Sequence, residues 1–265
     1  MKCFGLLLLS LFVTNIGFVD ICALPVKRNY LTYDEFRTTT IYEESLKFNL
    51  SSVWLTTPNK FVYGFIGAKY QRIKVKFISI KKDTTDPSVY YISGKSVVKN
   101  NIADFTGSIK IKKILKRNHP SPDQDVVYYE YTKRGVKTFY EISGAYTFSE
   151  NRALKHSGIF NGTFKTSFFI DTKGRVKYDD LELNADSYSN NEFIGTWVHY
   201  NGKLVQQCNW GDYRIPASGD LDIGAGEFSP NDKYLPMGWQ SVRDMHRNDE
   251  TGRLAKKQEE KEWWK

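Results

Sequence analysis

The chain has 265 residues, a formal charge of +8, 15% aromatic side chains and three cysteines. Set aside an N-terminal leader and ~240 residues remain, enough for one large β domain that buries its own core. Two of the three cysteines fall in that leader, so a fold held by an internal disulfide is excluded from the mature chain.

Residues 1–23 combine an early Lys2, an apolar run over 4–13 and a small residue, Ala23, at a cleavage position. This is the pattern of a secretory signal peptide. Thr14, Asn15 and Gly17 interrupt the run, leaving it short of the roughly 20 apolar residues a membrane-spanning helix needs. Ile21 stands where lipidation of Cys22 would require a small residue. A free mature protein starting near Leu24 is expected, secreted, periplasmic or held at the cell envelope. Cys208 then stands alone, and a lone cysteine reads as a small buried hydrophobe rather than a nucleophile.

Residues 24–58 mix acids, threonines and aromatics and fit a short helix or an irregular wrap. From 59 to 239 the pattern becomes that of strands. In 72–77, Ile73, Val75 and Phe77 alternate with Arg72, Lys74 and Lys76, and in 108–112 Ile109 and Ile111 alternate with Lys110 and Lys112. At a side-chain period of two, these are half-buried strands with lysines outward. Turn signals at 83–87, 100–101, 119–125, 134–135, 172–174, 190–191 and 201–202 cut the rest into short pieces. No amphipathic helices separate them between 60 and 215, so an antiparallel meander is expected rather than βαβ units.

Three pentapeptides echo one another: Phe105-Thr-Gly107-Ser-Ile109, Phe160-Asn-Gly162-Thr-Phe164 and Phe193-Ile-Gly195-Thr-Trp197. The first two follow, across a turn, Ile92-Ser-Gly94 and Ile142-Ser-Gly144, which predicts paired strands of repeated hairpins. Glycine within a strand marks a bend or a close backbone approach, and one per hairpin would let the sheet curl and close. An all-β domain is therefore expected, a meander closed or nearly closed into a barrel.

The triplet Gly195-Thr196-Trp197, opening a strand within a meander, resembles the Gly-x-Trp element of calycin-type barrels such as lipocalins and avidins. Those proteins place it on their first strand, whereas here it falls late. The chain, including the runs 209–214 and 222–228, also resembles uncharacterised exported proteins of gut bacteria, a likeness that implies export and supplies no activity.

Residues 240–265 are highly charged, and 241–265 hold seven basic and six acidic side chains. Val242, Met245 and Leu254 give only a thin apolar stripe, so a marginal helix or mobile tail is expected.

The candidate chemistry is sparse. Asp220, Asp222 and Glu227 bring three carboxylates into one loop, but Gly224 and Ala225 break the spacing of a calcium loop. Asp179, Asp180, Glu182, Asp212, Asp222 and Glu227 include enough acids for a glycosidase pair without fixing one. The four histidines lack zinc spacing and no phosphate-cradling glycine motif is present, so neither a metal nor a nucleotide cofactor is expected. Residues 69–117 carry thirteen Lys or Arg against three acids. That is either the wet face of a sheet guarded against edge pairing or a surface for an anionic envelope polymer; nucleic acid is a poor partner for an exported chain. Trp197, Trp210, Tyr213 and Trp239 cluster in the last third, as core or as a stacking surface for an apolar ligand or sugar. The leading expectation is an exported, non-catalytic binding protein that holds a small apolar or glycan ligand in a barrel mouth, with these four aromatics as the ligand-binding residues. A surface carbohydrate-binding or envelope interaction module is the alternative, and a glycosidase-type enzyme comes third.

Overall fold

The computed structural model describes residues 46–117, 129 and 131–265. The expected leader, the first part of the expected wrap and the turn at 119–125 lie outside them. Nine strands follow in order: β1 Val62–Ile66, β2 Gln71–Lys82, β3 Val89–Val98, β4 Asn101–Arg117, β5 Val136–Glu150, β6 Gly158–Asp171, β7 Val176–Tyr178, β8 Asn190–His199 and β9 Val205–Asp212. Successive strands pair antiparallel except β7 and β8, which both pair with β6, β8 on its first half and short β7 on its second, and β9 returns to β1. Eight strands thus close into a ring with no free edge among them, the meander that the alternation predicts.

Inward-facing glycines set how tightly this ring coils. Gly94, Gly107, Gly144 and Gly162 lie directly opposite Phe105, Phe148, Phe164 and Tyr146 on the neighbouring strand, and Gly64 lies opposite Trp210. Each missing side chain leaves room for the ring across from it, and at Gly162 and Gly195, which face one another, two backbones approach closely. The predicted hairpins are real, since Ile92 and Gly94 pair with Gly107 and Phe105. The aromatics so accommodated meet across the interior. Phe193 stacks on Trp210 at 4.8 Å, Phe105 on Phe148 at 5.3 Å, and Phe77 meets Phe105, Phe148 and Phe193 edge-on. The waist of the barrel is filled.

The expected turn at Asn190-Asn191 is instead the start of β8, buried and bulged, with Asn191 at φ 47°. Asparagine tolerates that left-handed backbone, which is why a turn signal appears inside a strand. Residues 46–61 do not wrap the outside of the ring; they enter one end of it. Trp54 packs edge-on against Tyr90 at 5.0 Å and donates its indole N–H to Thr166 Oγ1 at 3.0 Å, while Lys82 donates to the Leu46 and Phe48 carbonyls.

Beyond β9 the chain covers the outer face of β1 and β2, where Tyr63 and Phe65 pack with Phe228, Trp239, Val242 and Met245. The charged end is a helix, Glu250–Glu260, capped by Asp249 and docked on the sheet. Its anchor is ionic. Glu259 receives both terminal nitrogens of Arg72 at 2.9 and 2.5 Å, Lys74 at 3.2 Å and the Ser241 hydroxyl at 2.5 Å. Burial alone would raise the Glu259 carboxyl, but these hydrogen bonds and charges outweigh it and hold the carboxyl at about 2. The expected wet face therefore divides: Lys110 and Lys112 of β4 are exposed, whereas Lys74 is covered by this helix and Lys76 lies under the Trp264 ring. No helix among the described residues is long and apolar enough to cross a membrane.

A Cβ placed at Gly107 falls 2.0 Å from the Thr147 carbonyl oxygen and 2.7 Å from the Phe148 Cα, both backbone atoms. Gly107→Ala should therefore destabilise the protein by about 1–3 kcal/mol in urea unfolding, the usual penalty for overpacking. An unchanged midpoint would mean that the coil of the ring does not depend on that glycine.

Candidate functional site

The end of the ring away from the plug is open. Around it lie the last residues of β1, β3, β5 and β8 and the first of β2, β4, β6 and β9, enclosing a cavity of about 690 Å³. Its walls are mainly apolar, with Ile66, Ile73, Val98, Phe160, Trp197 and Leu204 presented by strand parity and by the tight turn before β9. Its floor is the filled waist. Ligand cavities of this size and character fall within the ~300–1,000 Å³ range usual for small-molecule sites.

One acid reaches this interior. Glu150, the last residue of β5, is buried and accepts the Ser96 hydroxyl at 2.6 Å, the Gly158 amide at 2.9 Å and the Trp197 indole N–H at 2.9 Å. These bonds fix the Trp197 ring, so one aromatic wall is held in place before anything enters. Glu150 was not singled out in the sequence, and Phe160 was only as part of the repeated pentapeptide, not as the wall of a cavity. Their signal was parity: Ile142, Gly144, Tyr146 and Phe148 face inward, and Glu150 continues the same alternation, a charged residue on the wrong side of a strand.

The four aromatics expected to bind ligand are not brought together. Trp197 lines the open mouth. Trp210 belongs to the stacked waist. Tyr213 stacks on Phe61 at 5.2 Å beside a separate open groove of about 550 Å³ that also includes Tyr188, Phe228 and His246. Trp239 is fully buried outside the ring, under the C-terminal cover, donating to the Tyr70 carbonyl at 2.8 Å with the Arg72 guanidinium over its ring. Nearness in sequence misled because β9 ends at the plugged end and the chain then turns onto the outer surface.

The other sequence candidates also find structural partners. In the acidic loop, the Arg214 guanidinium occupies the middle, donating to Asp222 Oδ2 at 2.7 Å and to the carbonyls of Gly224 and Gly226. Asp220 turns away to Lys233 and Tyr234, and no cluster of metal-ligating side chains is found among the described residues. Asp180 pairs with Arg134, and Glu227 is exposed beside His246. Cys208 is buried in the barrel interior, and burial pushes its thiol up, away from the reactive thiolate.

Asp212 ends β9 at the plugged mouth. It is buried and its Oδ2 accepts Thr57 Oγ1 at 2.6 Å, Asn191 Nδ2 at 2.7 Å and the Tyr178 hydroxyl at 3.0 Å, tying the plug to β7, β8 and β9. Burial raises its carboxyl to about 7, against the opposing pull of those three hydrogen bonds and of the Lys76 charge. This network closes the far end; a void of only about 30 Å³ remains beside it.

Compared with protein-family models, with curated proteins and with solved structures, the chain matches none.

Asp212 also makes a pH prediction. Its folded value of about 7 lies above the ordinary 3.8, so between those limits the folded protein holds a proton that the unfolded chain releases. Stability from this group is then present in acid and is lost as pH rises, up to about 4 kcal/mol by pH 7. Asp212→Asn keeps an acceptor oxygen for the three donors and cannot ionise. Thermal unfolding of the variant should show a flatter dependence from pH 4 to 7 and a higher midpoint than the parent at pH 8. A parent that gains stability over that range relative to the variant would contradict the assignment.

Proposed function

We propose that this chain is an exported, non-catalytic binding protein that holds a small, mostly apolar ligand in the open mouth of its barrel. The observation that carries the proposal is the 690 Å³ cavity at one end of a ring whose waist is filled and whose other end is plugged. A packed floor and a fixed Trp197 give a preformed cup, and preorganisation of that kind favours affinity because little must be ordered on binding. The resemblance of Gly195-Thr196-Trp197 to the calycin element fits this reading, since Gly195 lies in the coiled waist and Trp197 in the wall of the cup. Export rests on the leader pattern in residues 1–23.

Two observations favour the cup over a surface module or an enzyme. The outward residues of β2, Arg72, Lys74 and Lys76, are covered by the C-terminal segment, which removes part of the basic face an envelope polymer would need. The acids that a glycosidase would require are engaged separately, Asp212 with three donors, Asp222 with Arg214 and Asp180 with Arg134.

An environment-sensitive apolar fluorophore such as N-phenyl-1-naphthylamine tests this. The purified protein should bind it with one site, and Ala68→Trp, which fills the rim without removing core, should weaken binding about tenfold or more. Trp197→Ala should do the same with its strand circular dichroism retained. Absence of binding, or equal binding by both variants, would refute the cup.

A further inference from the structure

Four turns frame the open mouth: 67–70 between β1 and β2, 99–100 between β3 and β4, 151–157 between β5 and β6, and 200–204 between β8 and β9. Together they carry Lys69, Lys99, Arg152, Lys155 and Lys203, and not one Asp or Glu. All five are exposed, and none forms an ion pair with a described residue. Lys69 and Lys99 belong to the cavity lining itself, and Arg152 is held over the Tyr200 ring at 4.9 Å. His156 and His199 complete the rim. At and beside the plugged end the turns carry both signs, Asp83, Asp86, Asp179, Asp180, Glu182 and Asp186 together with Lys133, Arg134, Lys173 and Arg175. Turns carrying cations and no acid thus frame the end where the cavity opens.

The floor has the reverse character. Its acid, Glu150, offers acceptor oxygens, and the nearby donors, the Ser96 hydroxyl and the Trp197 indole N–H, are already directed at it. An anionic group reaching the floor would find the Ser96 and Trp197 donors already engaged by Glu150, whereas at the rim it meets exposed cations without ion-pair partners among the described residues, whose fields add over the concave mouth.

We infer that the ligand is an anionic amphiphile, seated with its apolar body inward against Trp197, Phe160 and Ile73 and its acidic head at the Lys69–Lys99 rim. This rests on the cup proposed above and adds charge and orientation to it. A neutral sugar or a cationic amine fits the same arrangement less well, because the first leaves the cations uncompensated and the second is repelled by them.

Matched ligands separate the cases. Dodecanoate, dodecanol and dodecylamine, each below its micelle concentration, would be titrated against the fluorophore bound to the purified protein at 20 mM and 500 mM NaCl. At low salt dodecanoate should compete about tenfold or more better than dodecanol, with dodecylamine weakest, and the advantage should shrink at high salt as exposed charges are screened. Lys69→Ser/Lys99→Ser should cut the ratio of dodecanoate to dodecanol competition at low salt, with the strand circular dichroism retained, since both positions are exposed. Equal competition by all three, preference for the amine, or a double variant that keeps the full advantage would overturn the inference while leaving the cup intact. Failure of all three, dodecanol included, would overturn the cup as well.

Discussion

The fit of inward glycines against the aromatic rings of neighbouring strands is the constraint on which the rest of this structure depends. With Gly94, Gly107, Gly144 and Gly162 opposite Phe105, Phe148, Phe164 and Tyr146, the strands coil tightly enough for the first and last to meet, and their rings fill the waist. Closure removes the edges that a nine-stranded sheet would otherwise expose. The same packing gives the open mouth a floor. A larger residue at any of these glycines would strike backbone, and at Gly94 and Gly144 the facing phenylalanine ring as well, so the interlock is a matter of main-chain geometry as much as of hydrophobicity.

The parts outside the waist are held by apolar packing and positioned by specific polar interactions. The plug is held by hydrogen bonds from Thr57 to Asp212, from Trp54 to Thr166 and from the Tyr90 hydroxyl to the Phe48 carbonyl, and the C-terminal helix by the Glu259–Arg72 pair. Breaking a buried pair from one side leaves an uncompensated charge, which is why such anchors specify position strongly even where their net contribution to stability is small. Glu259 and Asp212 also respond to acid in opposite senses. The first is held down at about 2 by its cationic partners and the second is raised by burial to about 7. The open mouth has no comparable closure, and its turns keep their cations facing water.

Much of this architecture was legible in the sequence. Alternation in 72–77 and 108–112, the turn signals and the Phe-x-Gly echo together gave an antiparallel ring, because each is a local rule that the final fold obeys. What escaped local rules was placement across the ring. Glu150 pairs with residues over fifty positions away, or nearly so, from Ser96 to Trp197, and Arg72 finds Glu259 at the far end of the chain. The helix at 250–260 looked marginal because its docking stripe is Gly252, Ala255 and Glu259, while Leu254 points to solvent. Trp210 and Trp239 looked like partners of Trp197 because they are near it in sequence, yet one lies in the waist and the other outside the wall. Asn190-Asn191 read as a turn through the same backbone preference that makes it a bulge.

The six indole N–H groups give the most direct test of this division into filled waist and open cup. In ¹⁵N-labelled protein titrated with an apolar probe, the Trp197 indole resonance should shift, because its ring lines the cup, while those of Trp54, Trp210 and Trp239 stay in place. Shifts centred on Trp210 or Trp239, or no shift at Trp197 while the probe is bound, would contradict the account.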